Sequence, residues 1–244
     1  MENNENEIKG VIDFDYSKLE PLIEKADKKK ENIILLTTGS FNPIHRMHLE
    51  MLNIAYRFLL SKNKYNIICG FISPSSDSYV SCKKPPLIPF EKRCDIIETA
   101  IKEYNKEKKE EKKLEIYIHL WEGTHDYFID FPYVIKEIQS KLMKYKIRLI
   151  YVCGMDLFLN CRSYFNNNVI VIDRKPYRND GYKNNEKRYM FFVQDDQSQP
   201  FSSTSIREYY LHHDYQKIQN ETFPEVSQKI IDFYNYYYQH NNNI

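Results

Sequence analysis

"ILLTTGSFNPIHRMHLEML", Ile34 to Leu52, changes character at a glycine. Before Gly39 the chain is an apolar run of strand length. Beyond Pro43, apolar residues recur at helical spacing through "MHLEMLNIAYRFLLSKN". A strand that ends in glycine lets backbone amides approach a ligand closely. Pro43 suits the first turn of a helix and Asn42 its cap. Wherever the helix starts, His45 and His48 fall in its N-terminal turns and, at i and i+3, face the same way.

The alternation continues outward from this stretch. "NIICGFISP" is followed by "FEKRCDIIETAIKEYN", "LEIYIHLW" by "YVIKEIQSKLMKY", and "IRLIYVCG" by "MDLFLNCRSYF". "VIVIDR", "MFFVQ", "STSIREYYL" and "EVSQKIIDFYNYYY" complete the order. Strand followed by helix, repeated, predicts an α/β chain with a doubly wound, Rossmann-like parallel sheet in one domain. Residues 1–30 read as a polar N-terminal extension carrying one helix, and residues 31–244 as the domain. "NKEKKEEKK", Asn105 to Lys113, reads as a solvated helix end or loop, and Lys175 to Arg188 as a long mobile loop.

The chain has 244 residues, with 35 Lys and Arg against 34 Asp and Glu. No global basic field points to nucleic acid as a partner. The five cysteines are odd in number and form no C-x-x-C pair, which fits neither a disulfide framework nor a zinc site. The acidic, polar start is unlike a secretory signal, and no apolar run is long enough to span a membrane. A cytosolic or nuclear protein is the expectation. Oligomeric state is left open, a homo-oligomer included.

In open α/β sheets, ligands bind outside the carboxyl ends of the strands. Gly39, Ser40 and Phe41 follow the first predicted strand, "SPSSDSY" the second, Trp121 and Glu122 the third, Gly154 and Asp156 the fourth, and Arg174 the fifth. The segment leading to Ser202, Ser203 and Thr204 follows the last. A helix N-terminus favours anions, so two imidazoles there make sense if a phosphate sits between them and the dipole. Neutral histidines on a buried turn, or an H-x-x-H metal site without a third ligand, are the other readings. In "FSSTSIREYY", Ser205 and Glu208 form a capping box. That leaves Arg207, a cation opposing the dipole, to be explained by a second anion held with Ser203 and Thr204.

Taken together, "GSFNPIHRMHL", "GFISPSSDSY", "LWEG", "CGMD" and "SSTSIR" resemble the nicotinamide/nicotinate mononucleotide adenylyltransferases, of the eukaryotic-like branch, from about Ile33 to the C-terminal helix. The resemblance implies a nucleotidyltransferase that joins ATP to nicotinate or nicotinamide mononucleotide, releasing pyrophosphate in NAD synthesis. It implies His48, His45 and Arg207 as catalytic, with Gly39, Ser40, Phe41, Gly154, Asp156, Ser203 and Thr204 on ATP. The mononucleotide would meet Ser40, Phe41, Asp77, Tyr79, Lys83 or Lys84, Trp121 and Glu122, with the Trp121 indole against the pyridine ring. Magnesium would arrive on the ATP phosphates, with no protein side chain as its ligand. The loop Val80 to Pro89 is longer than in that family, Lys92 replaces a histidine, and no tryptophan stands near Tyr164 or Phe165. Two other readings are a related nucleotidyltransferase acting on phosphopantetheine, and a non-catalytic nucleotide-binding or chaperone-like protein of the same fold.

Overall fold

Apolar runs buried on both sides form the strands, because helices cover both faces of a parallel sheet. The computed structural model describes residues 13–83, 86–107, 114–173, 177–195 and 199–241. Among them are six strands: β1 (Glu31–Gly39), β2 (Tyr65–Pro74), β3 (Ile116–Ile118), β4 (Ile147–Gly154), β5 (Val169–Asp173) and β6 (Met190–Gln194). They lie in one sheet in the order β3-β2-β1-β4-β5-β6, every pairing parallel. The strand order reverses between β1 and β4, where a doubly wound sheet opens its ligand crevice.

Successive residues of the central strands serve opposite layers, as the two-residue period of a strand requires. Ile33, Leu35, Ile150 and Val152 face α2 (Arg46–Ser61), α4 (Phe90–Glu107), α7 (Ser203–Leu211), α8 (Tyr215–Glu221) and α9 (Pro224–Asn241). Ile34, Leu36, Leu149 and Tyr151 face α1 (Glu20–Glu24), α5 (Phe131–Leu142) and α6 (Met155–Asn160). A short helix, α3 (Asp77–Val80), sits on the rim after β2. The two helical layers carry separate apolar cores, one per sheet face.

Several boundaries differ from the sequence reading. "LEIYIHLW" is a strand only at Ile116–Ile118, and a run of turns follows from Trp121. The helix read over Met155–Phe165 stops at Asn160 and tightens into a 3₁₀ turn at Arg162–Tyr164. Helix α8, in a polar stretch without a clear apolar stripe, was not expected. Within the charged run, α4 continues to Glu107, while residues 108–113 lie outside the described residues.

Of the expected N-terminal extension, residues 1–12 lie outside the described residues, and the rest lies on the second core. Phe14 meets the Phe71 ring edge-on at 4.8 Å, Tyr16 Oη is 2.7 Å from His119 Nε2, and Leu19 is fully buried. Truncating a fully buried leucine removes its transfer energy and leaves a cavity. Leu19→Ala should therefore lower the unfolding free energy by about 2–5 kcal/mol in a urea titration; a surface-like change below about 0.5 kcal/mol would show that this segment is not part of the folded unit.

Candidate active site

The helix after β1 begins at Arg46, so its cap is His45 and not Asn42. The His45 backbone N–H donates to His48 Nδ1 at 3.1 Å, which fixes the imidazole proton of His48 on Nε2. The two imidazoles stack with centroids 3.7 Å apart, and the edge of the Phe41 ring packs on His48 at 4.9 Å. The stacked pair excludes a phosphate from between the two rings, and of the two it is His48 that lines the cleft. Phe41 itself has φ +43°, a left-handed conformation rare for an aromatic residue, sustained by near-complete burial of its ring.

Asn42 is buried for a different purpose. Its side chain donates to the Pro86 carbonyl and accepts from the Ile88 amide, tying the β1 turn to the loop before α4. The turn is held from beneath by Arg93, a fully buried guanidinium. Arg93 donates to the carbonyls of Ile88, Ser40 and Ser75 at 3.0, 2.8 and 2.6 Å and to Asp77 at 2.9 Å. Burial pulls its pKa down, and Asp77 opposes the shift. Asp77 also accepts from the Phe90 amide at the start of α4. Its role in the structure is thus to hold Arg93 and α4 together.

Helix α7 starts one turn earlier than the expected capping box. Ser202 is the cap, its hydroxyl accepting from the Ser205 amide at 3.0 Å. Arg207 consequently lies in the second turn. It donates to the Asn42 carbonyl at 2.6 Å, to the Ser203 carbonyl and to Thr204 Oγ1. The Ser203 hydroxyl donates to the Pro43 carbonyl at 2.8 Å. These bonds clamp the start of α7 onto the β1–α2 turn.

A cleft of about 320 Å³ opens at the carboxyl end of β1, beside the reversal point. Of the expected residues, Gly39, Ser40, Phe41, His48, Tyr79, Lys83, Glu122 and Ser203 line it. His45, Asp77, Trp121, Gly154, Asp156, Thr204 and Arg207 do not; Lys84 and Arg174 lie outside the described residues. Trp121 instead lies against the second core, its ring edge-on to His125 at 4.8 Å. Aromatic surface in the cleft comes from Phe128, Phe131 and Tyr151, with Tyr79 stacked on Phe128 at 4.7 Å and Phe131 on Tyr151 at 5.1 Å. Sequence reasoning missed these residues, although Asp130 before Phe131-Pro132 is a helix-start pattern: Asp130 caps α5 by accepting from the Phe131 amide.

The walls differ in chemistry because they come from different layers. On the α2/α7 side stand His48 and Ser203; on the α5/α6 side stand Phe131, Leu157 and Cys161. Glu122 is 2% exposed and accepts from the Ser73 hydroxyl at 2.7 Å. Burial pushes its carboxyl up to about 7, against the pull of Ser75, Ser73 and Arg93. Gly123 must lack a side chain, since a Cβ would lie 1.9 Å from the Phe90 ring.

A parallel 3-2-1-4-5-6 sheet with a cleft at its reversal point defines a doubly wound α/β protein with its ligand crevice at the carboxyl ends of the strands. More narrowly, the chain belongs to the cytidylyltransferase-like family, whose profile matches residues 36–209. Nicotinamide/nicotinic acid mononucleotide adenylyltransferase 1 of Bos taurus is 33% identical over 116 residues, 48% of this chain and 37% of that protein. The Arabidopsis thaliana nicotinamide/nicotinic acid mononucleotide adenylyltransferase is 26% identical over 137 residues, 54% of this chain and 52% of that protein. The chain thus spans between about a third and a half of these relatives. The fold is shared with Plasmodium falciparum nicotinic acid mononucleotide adenylyltransferase complexed with NaAD, at a TM-score of 0.58 and 19% identity, covering 83% of this chain and 96% of that one.

Two outcomes test this geometry. Arg93→Ala would strand three buried carbonyls, and should cost about 3–5 kcal/mol of stability in denaturant titrations, as loss of one member of a buried charged network does. The folded chain retains the Glu122 proton that the unfolded chain releases near the ordinary value of 4.5. Stability should therefore fall as pH rises from about 4.5 to 7, by up to about 3 kcal/mol from this group. Glu122→Gln should remove that component when the two pH–stability curves are subtracted.

Proposed function

We propose that the protein is a mononucleotide adenylyltransferase, forming the NAD-type dinucleotide from ATP and nicotinate or nicotinamide mononucleotide. The observation that carries the reading is the cleft at the strand-order reversal, with His48 and Ser203 on one wall and aromatic surface on the other. The names of the relatives point the same way. The reacting unit in this reading is residues 31–244, with residues 13–30 laid on it as a strap.

In the reaction, a 5′-phosphate oxygen of the mononucleotide bonds to the α-phosphorus of ATP. The bond from that phosphorus to the bridging oxygen breaks, and pyrophosphate leaves with the electron pair. The nucleophile is already ionised near neutrality, so positioning and charge stabilisation suffice. His48, with its proton on Nε2, is a neutral donor toward the α-phosphate. His45 contributes through its backbone amide, which sets that tautomer, and through its stacked ring. Gly39, Ser40 and Phe41 supply the turn around the triphosphate, and Ser203, Thr204 and Arg207 the end that receives pyrophosphate. Gly154, the last residue of β4, and Asp156, in the first turn of α6, take the adenosine in this reading, outside the residues that line the cleft.

Lys83 serves the mononucleotide phosphate; its ammonium lies 4.7 Å from the Tyr79 ring centroid, on the cleft wall. Magnesium would arrive held by the ATP phosphates, where it would offset their charge. Among the described residues, no group of three or more His, Cys, Asp or Glu is placed to hold a metal ion. No described helix is long and apolar enough to cross a membrane; action in the cytosol or nucleus on small molecules, without nucleic acid, completes the proposal.

Purified protein given ATP, magnesium and either pyridine mononucleotide should release pyrophosphate and the dinucleotide in equal amounts. Release with phosphopantetheine alone would replace the substrate, and no turnover by folded protein would refute the enzyme. His48→Ala should lower kcat by about a hundred- to a thousandfold, the scale of one lost charge-stabilising donor. A far-UV circular dichroism spectrum like that of the wild type would separate this loss from unfolding.

A further inference from the structure

The resemblance puts Glu122 beside the mononucleotide without saying what it does there. Glu122 lies among the residues that line it, yet its carboxyl is almost wholly withdrawn from solvent. The hydroxyl of Ser73 occupies one of its lone-pair positions, and the Ser75 side chain a second. A carboxylate has about four such positions, so acceptor capacity remains beyond Ser73 and Ser75. The surrounding surface of Phe128, Phe131 and Tyr151 suits a flat ring. A heteroaromatic ring against that surface brings its substituent to a carboxyl group.

On the reading that this is a pyridine mononucleotide site, we infer that Glu122 reads the ring substituent and that its protonation state sets the preference between carboxylate and carboxamide. Protonated, Glu122 is a neutral donor that can hydrogen-bond a substrate carboxylate. Ionised, it repels that carboxylate but accepts from a carboxamide N–H. The residue can make this change near neutrality because burial raises its pKa to about 7.

Other titratable groups line the same cleft, His48 of α2, Tyr79 of α3 and Cys161 after α6 among them. Arg93 of α4 lies beneath and favours ionisation; Asp130 at the start of α5 opposes it. Tyr151 of β4 is held neutral by complete burial, its hydroxyl paired with Thr38 Oγ1 at 2.9 Å. Lys83 lines the same cleft, on the side of Tyr79. Among these, Glu122 is the carboxyl that changes charge between pH 6 and 8.

The test is the ratio of kcat/KM for nicotinamide mononucleotide over nicotinate mononucleotide, measured on the full chain with ATP and magnesium at pH 6, 7 and 8. Both substrates carry the same titrating phosphate, so its ionisation cancels in the ratio. The wild type should shift toward the amide by about tenfold across this range, as the protonated fraction of a group with a pKa near 7 falls about tenfold. Glu122→Gln should abolish the slope and keep acid turnover at pH 8.

Turnover with a flat wild-type ratio overturns the inference and leaves the enzyme reading intact. An unchanged slope in the folded variant assigns the titration to another group and also overturns it. Absence of turnover with either substrate defeats both together. Should the variant not fold, a flat wild-type ratio still overturns the inference, and Glu122→Asp must move the midpoint of any slope for the inference to stand.

Discussion

Arg93 is the constraint on which the site rests. One guanidinium, with no exposed surface, holds the turn after β1 through Ser40, the end of β2 through Ser75, the loop before α4 through Ile88, and Asp77 at the start of α3. The β1 turn, residues 75–77 and the loop at Ile88 thus share one planar donor. A lysine could not replace it, because a single ammonium cannot reach acceptors arranged around a fork. Burying the cation is costly, and the network offsets that cost by satisfying acceptors that would otherwise be orphaned. The amides and hydroxyls of the β1 turn are therefore held in place before any ligand arrives.

Electrostatic preparation of the cleft relies on neutral groups more than on charge. The His45 amide fixes the tautomer of His48, so the ring offers a donor without a stored positive charge at a helix N-terminus, where a cation would be disfavoured. Glu122 is held near neutrality by burial. Arg207 is engaged by carbonyls of the turn and of its own helix. Such groups are aimed by hydrogen bonds that already exist, and reorganise little when charge develops.

The fold was legible because each central strand is a continuous apolar run and each principal helix an amphipathic one. The positions of Gly39, Ser40, Phe41, His48 and Ser203 were legible too, since they follow strand ends and helix starts. Trp121 illustrates the limit: its motif is local, whereas its burial depends on how the turns after β3 fold against α5. Phe131 and Tyr151 enter the cleft only because β4 lies beside β1, a pairing that strand periodicity does not encode. Arg93 was invisible for the same reason, as nothing in "FEKRCD" distinguishes a fully buried arginine from a solvated one. The caps failed by small offsets: His45 for Asn42, and Ser202 for Ser205, where several residues of similar capping propensity stand in a row.

The two walls of the cleft come from separate layers with separate cores, and this has a consequence for descent. The wall bearing His48 and Ser203 is tied to the β1 turn by Ser203 and Arg207, so substitutions there disturb several segments at once. The aromatic wall sits on the N-terminal ends of α5 and α6, whose packing belongs to the other core. Tyr151 is tied to β1 through Thr38, whereas Phe128 and Phe131 can be exchanged without removing a side-chain hydrogen bond to the β1 turn. In the proposed reaction, selection can thus exchange the ring a descendant accepts while its reactive end stays fixed.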